Sequence, residues 1–150
     1  MKRVDVVIGI VVRDGKILIC QRRQSDALAG YWEFPGGKLE PGETLEQCLA
    51  RELREELAII ARPIEPLAVI EHDYPHVQVR LHPYLCQHES GDPQPLAAEQ
   101  AIWVAPTNLA RYRFPSANDD LIRQLIARFS AEIQPQSATE DTESTEEKKG

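Results

Sequence analysis

The hydrophobic positions follow two rhythms in turn. Val4 to Val12 is a β-branched apolar run, Asp14-Gly15 is a turn signal, and Lys16 to Gln21 is a second apolar run, which together predict a β-hairpin. Polar and small residues fill Arg22 to Gly30, and Tyr31-Trp32-Glu33-Phe34 then reads as a short extended segment stopped by a loop at Pro35-Gly36-Gly37. From Thr44 to Leu57 the period becomes helical: Leu45, Leu49, Leu53 and Leu57 recur every fourth residue, and Thr44 with Gln47 makes a capping box. Beyond Pro63 and Pro66, Leu67 to Glu71 and Val77 to Gln87 read as strands, with Pro83 marking the second as an edge strand or a bulge. Ser90-Gly91-Asp92-Pro93 is a loop, Ala101 to Val104 a short strand, and Asn118 to Ile133 an amphipathic helix with Leu121, Ile122, Leu125, Ile126 and Phe129 inward. Strands interspersed with two helices, and no internal repeat, imply an α/β or α+β domain with a mixed sheet.

A chain of 150 residues with 42% apolar side chains supports one sizeable core. We expect one domain over residues 1–133 and a disordered acidic tail over 134–150, because the last stretch has almost nothing apolar to bury. Between Pro135 and Gly150 five acids face two bases, so the tail carries −3 of the formal −7 and the domain −4. That excess argues against long nucleic acid as a partner, since such binding rests on a basic surface. A small anionic substrate remains compatible if metal ions neutralise the contact. No stretch approaches the roughly 20 apolar residues of a membrane span, and no cleavage site follows the apolar start, so a cytoplasmic protein without membrane contact is expected. Cys20, Cys48 and Cys86 are odd in number and outside any C-x-x-C pattern, which predicts reduced thiols.

The helix over 44–57 carries the chemistry. At about 100° per residue, Glu52, Glu55 and Glu56 fall within an arc of roughly 100° that overlaps the edge of the leucine stripe. Solvating carboxylates normally sit opposite such a stripe, as an ordinary Glu/Arg-rich helix would place them. Three carboxylates at i, i+3 and i+4, turned partly toward the core, repel one another unless a cation sits among them. Oxygen-only ligands point to a hard ion, Mg²⁺ or alternatively Mn²⁺. Gly36 and Gly37 let backbone approach a ligand, and Gly42 turns Glu43 back toward the cluster.

Residues 37–59 resemble the Nudix box: a glycine (Gly37), five residues, Glu43, seven residues, Arg51-Glu52-Leu53-Arg54-Glu55-Glu56, one residue, a small residue and Ile59. Ala58 stands where the box has glycine, a departure that strains the helix exit if the position needs φ > 0. The resemblance implies a Nudix-type α/β/α sandwich. It implies metal ligation by Glu52, Glu55, Glu56 and the Gly37 carbonyl, with Arg51 orienting the catalytic glutamate and Glu43 held near Arg51. Glu52 is the candidate general base, and Lys38 and Gly36 are placed to meet phosphate. A further ligand acid before a late strand fits Glu99, with Glu89 and Asp92 as rivals.

Outside the box, Arg22-Arg23 with Asp26, Tyr31 to Lys38, and Phe114-Pro115-Ser116-Ala117-Asn118 resemble MutT-type members, extending the likeness over residues 3–130. That likeness implies recognition of 8-oxoguanine by Asn118 and the backbone of Phe34, with Arg23 at phosphate or base. Asn118 equally fits an N-cap of the last helix. The implied reaction is Mg²⁺-dependent hydrolysis of 8-oxo-dGTP to the monophosphate and pyrophosphate. CTP or a modified dCTP is the alternative substrate, and an inactive nucleotide sensor the alternative of another class. The expected partner is a small nucleotide and the expected state a monomer, with a dimer left open. His72, His76, His82 and His88 match no ligand spacing, and Trp32 and Trp103 read as packing residues.

Overall fold

The structure, a computed structural model, describes residues 2–137 and the side chains of residues 2–130. Its strands are β1 (Lys2–Arg13), β2 (Lys16–Gln21), β3 (Trp32–Glu33), β4 (Gly36–Lys38), β5 (Ile60–Pro66), β6 (Ile70–Tyr74), β7 (Val77–Ser90) and β8 (Gln100–Val104). The helices are α1 (Leu45–Leu57) and α2 (Asp119–Ser137), with 3-10 turns at Pro106–Arg111 and Ser116–Asn118. The strands form one mixed sheet in which β1 runs parallel to β7 and the other pairs are antiparallel.

Alternation along the strands divides the core between the two faces. Ile8, Ile10, Ile17 and Ile19 pack with Phe34, Phe114, Leu121, Leu125 and Phe129 on the α2 side. Val7, Val11, Leu18 and Cys20 pack with Leu49, Leu53, Leu57 and Ile59 on the α1 side. The expected α/β/α sandwich is therefore what forms. Each fully buried leucine or isoleucine contributes about 1.5–3 kcal/mol of transfer free energy, so both faces anchor their helix.

Three expectations need correction. Gly36 and Gly37 form strand β4 on β1, pairing with Ile8 and Val7, where a loop was expected. A Cβ on Gly36 would collide with the Val7 carbonyl, so the glycines are what allow this backbone to lie against β1. Pro63 and Pro66 mask β5, a strand at the sheet edge, where a missing N–H costs no ladder bond. Pro83 lies inside β7, a central strand, and is tolerated because its neighbours break there: β5 pairing ends at Tyr84 and β6 pairing starts at Leu81. Leu67 N–H bridges that break to the Pro83 carbonyl at 2.8 Å.

The boundary expected after Ile133 falls inside α2, which runs to Ser137. The remainder of the expected tail, 138–150, lies outside the described residues.

Candidate active site

The capping box forms as expected: Gln47 N–H donates to Thr44 Oγ1, and Thr44 N–H to Gln47 Oε1, both at 3.0 Å. With its entry fixed, α1 lays Cys48, Leu49, Leu53 and Leu57 on the sheet. Glu52 and Glu56, each one position before a buried leucine, are thereby held at the rim. The Glu52 side chain is only 14% exposed, whereas Glu55 is 61% exposed. A Cβ on Gly37 would overlap the Glu52 carboxyl group, so β4 and α1 meet only because position 37 lacks a side chain.

Arg51 is the hub of the polar rim. Its Nε and Nη2 donate to the two Glu43 oxygens at 2.7 and 3.0 Å, a fork-to-fork pair. Nη1 donates to Glu52 at 3.0 Å and Glu55 at 3.1 Å, and Nη2 also reaches the Lys38 carbonyl at 3.3 Å. The Arg51 hydrogen bond is the main reason the Glu43 carboxyl falls to about 2, helped by the Glu40 N–H. The same partners, Glu43 first, raise the Arg51 pKa further above its usual range.

Glu56 behaves oppositely. Burial pushes its carboxyl up to about 8, with repulsion from Glu52 next, while the Gly36 N–H, 3.4 Å away, works weakly the other way. A carboxyl crowded into this state by burial and a neighbouring carboxylate is what a cation would relieve, and the donors on offer are all oxygen. Glu52, Glu56 and the Gly37 carbonyl thus fit a hard divalent ion. Glu55 is drawn to Arg51, and among the described residues no three His, Cys, Asp or Glu side chains already converge on one point.

The remaining predicted residues divide. Lys38 is exposed at the end of β4, beside this rim. Glu99 is exposed just ahead of β8, its N–H bonded to the Gln21 carbonyl at 2.8 Å, two residues before Ala101 on the α1 face. Arg23 donates to the Leu96 carbonyl at 2.7 Å, spanning two loops. Phe34 is buried against Phe114, ring centroids 5.0 Å apart. Asn118 is 8% exposed, and its side-chain amide makes no hydrogen bond to any described residue, a capping bond included. Phe114, Ser116 and Ala117, which lead to it, line a cleft of about 350 Å³ with Leu28, Tyr31, His72, Tyr74 and Arg113.

Sequence reasoning missed Glu33 and Cys48. Glu33 sits on β3, pairs with Arg22 at 2.9 Å and adds to the field that raises Glu56. Its signal was an acid inside an otherwise aromatic strand. The buried Cys48 thiol donates to the Lys38 carbonyl at 3.3 Å, and burial raises its pKa to about 11. The histidines are scattered: His82 pairs with Asp5 at 2.9 Å, His88 with the Gly91 carbonyl at 2.6 Å, and His72 packs on Tyr74.

The chain as a whole is similar to known proteins. The NUDIX domain family matches residues 6–124. The chain is 37% identical over 131 residues to the CTP pyrophosphohydrolase of Escherichia coli K12, covering 87% of this chain and 97% of that protein. It is 32% identical over 126 residues to the 8-oxo-dGTP diphosphatase of the same organism, covering 83% and 98% respectively. The solution structure of the E. coli ORF135 protein superposes with a TM-score of 0.76 at 36% identity, covering 87% of this chain and 94% of that one. No helix among the described residues is long and apolar enough to cross a membrane. Fold, box geometry and these likenesses agree: the chain belongs to the Nudix hydrolase family, as an enzyme related to the MutT type.

Proposed function

We propose that this enzyme is a Mg²⁺-dependent nucleoside triphosphate pyrophosphohydrolase that converts 8-oxo-dGTP to 8-oxo-dGMP and pyrophosphate, clearing an oxidised nucleotide from the precursor pool. The observation that carries the chemistry is Glu52, packed against Gly37 and braced by Arg51, with Glu56 buried beside it at the Gly36 N–H. The observation that carries the base is Asn118, a buried amide left without a partner among the described residues, which directly follows Ser116 and Ala117 in the wall of a cleft of about 350 Å³. Leaving such a group unmatched costs about 1–3 kcal/mol, which a ligand offering both donor and acceptor would recover.

Glu52, Glu55, Glu56 and the Gly37 carbonyl would hold the cation, with Glu99 the expected additional acid. Bound there, a divalent ion supplies Lewis-acid neutralisation of the phosphoryl oxygens. Glu52 accepts the proton of the attacking water, and by resemblance to the MutT type attack falls at the β-phosphorus. Arg51 keeps the Glu52 carboxylate aimed by holding one of its oxygens. Lys38, with Gly36 beside it, receives the phosphate charge that leaves with pyrophosphate, and Arg23 approaches phosphate or base from the opposite loop. Phe34 offers backbone and Asn118 its amide to the base edge.

A second reading has its own support. The relative at 37% identity is named for CTP, so a cytidine triphosphate is the rival substrate. Purified enzyme with Mg²⁺, assayed on 8-oxo-dGTP, dGTP and CTP, separates the readings by kcat/KM. Preference for 8-oxo-dGTP over both others supports the first, and preference for CTP overturns it in favour of the second. Nucleotide binding without turnover on any of them would leave only a sensor.

A further inference from the structure

The chain between β2 and β3 is fastened chiefly by one residue outside the box, Arg22. Its N–H donates to the Tyr31 carbonyl at 2.8 Å and its carbonyl accepts from Gly30 at 3.3 Å, closing the loop at its base. Its Nε donates to the Ala27 carbonyl at 2.6 Å, near the loop's tip, and its Nη1 to Glu33 at 2.9 Å. One guanidinium therefore joins the loop to β3.

The loop and the strand face different parts of the site. On the loop side, Leu28 and Tyr31 wall the cleft that Ser116 and Ala117 also line, and Arg23 reaches the Leu96 carbonyl. On the strand side, Glu33 pairs in register with Cys20, which belongs to the core under α1, and its charge acts on Glu56. Leu28 is half exposed yet sits at φ 58°, a left-handed conformation that side chains other than glycine adopt only at a steric cost. Such a conformation persists only where its surroundings over-determine it. An exposed surface ion pair would contribute little to anything. Here the pair coincides with a strained segment, a closed loop base and a substrate cleft.

We propose that Arg22 and Glu33 form a positioning clasp that holds the nucleoside wall of the site at a set height over the carboxylate rim, and so governs which nucleoside triphosphate is accepted. Neither residue touches the reacting atoms. The proposal rests on the nucleotide hydrolase reading above and adds to it the device that sets base selectivity.

The test combines Arg22→Met, Glu33→Gln and the double variant, with steady-state kinetics on 8-oxo-dGTP, dGTP and CTP and hydrogen exchange of residues 23–31. Releasing the clasp is expected to speed loop exchange, raise KM for the preferred nucleotide about 10-fold and lower its preference over the others about 5-fold, with kcat within about 3-fold. The double variant is expected to be no worse than Arg22→Met alone, since both changes remove one interaction. Arg22→Lys, which can reach Glu33 or the Ala27 carbonyl but not both, is expected to fall between. Unchanged loop exchange, additive losses in the double variant, or a fall in kcat at constant KM would each overturn the clasp. If the parent enzyme turns over none of the nucleotides, the hydrolase reading fails by itself, and loop exchange still decides whether Arg22 holds the loop.

Discussion

The carboxylate rim and the cleft beside Phe114 are built from different material. The rim stands on regular elements: a capped helix against β4, with Arg51 bonded to three glutamates and a carbonyl. The cleft is assembled from loop and 3-10 segments, Leu28, Tyr31 and Phe114 to Ala117, plus the β6–β7 end carrying His72 and Tyr74. On the proposed reading, chemistry that tolerates little displacement rests on rigid backbone and base selectivity on segments that vary more easily; relatives of this chain are named for CTP and for 8-oxo-dGTP.

The sharpest way to break that division is at the rim. Glu52→Gln keeps size and hydrogen bonding while removing the proposed base, so kcat should fall by about 10³-fold or more with KM little changed. The melting temperature should stay within about 2 °C, because the site's own anchors, Leu49, Leu53 and Leu57, are untouched. A loss of fold together with activity would mean that the rim is structural first.

Asn118→Ala attacks the cleft and should act differently. If the amide reads the base, kcat/KM for the preferred nucleotide should drop about 10–100-fold while poor substrates change little. Stability of the free protein should hold or rise, because the amide has no partner among the described residues to lose and its removal ends the cost of an unmatched buried group. An N-cap, by contrast, would cost about 1 kcal/mol on removal and leave selectivity alone. Melting curves and substrate ratios measured on one preparation separate the two roles.

These two sites also differ in how far sequence could reveal them. The glutamates were legible because box spacing and helical period point to the same edge, and the capping box marked where that edge begins. Cleft geometry was not, since Tyr31, Tyr74 and Ser116 come together only through the sheet. The strand at Gly36–Lys38 was hidden by glycine and proline, which signal loops unless a neighbouring strand leaves no room for a Cβ. The same masking by proline hid β5. Glu33 was visible as a charge among aromatics, but its link to Glu56 depends on where α1 lands.

The pH response of the metal-free enzyme is a milder probe of the rim. Glu56 is raised from 4.5 to about 8 in the folded state, so its contribution to stability is complete below about 4.5 and fades as pH rises through about 8. Glu43, lowered to about 2, gives the opposite slope, contributing above 4.5 and losing effect as pH falls toward 2. The melting temperature without divalent ions should therefore decline across neutral pH, and Glu56→Gln or saturating Mg²⁺ should flatten that decline. A flat profile in the unloaded parent would contradict the burial of Glu56 and its crowding by Glu52.

The smallest effect belongs to the end of α1, where the box departs from its usual glycine. Ala58 has φ 57° and ψ 37°, and its N–H donates to the Arg54 and Leu53 carbonyls, with Ile59 N–H reaching Leu53 at 3.4 Å. This is a left-handed helix stop of the kind glycine makes without steric penalty. Ala58→Gly removes about 1–2 kcal/mol of strain but gives back part of it through the freer unfolded chain, leaving a net gain of about 0.5–1 kcal/mol. Thermal unfolding should shift up by about 1–4 °C, with kcat and substrate preference unchanged. The buried Ile59 and Leu53 already hold the exit in place, so relieving strain there should not move Glu52 or Glu56. A change in kcat from this substitution would mean that the strained exit helps aim the glutamates, and the rim would then be less rigid than its bonding suggests.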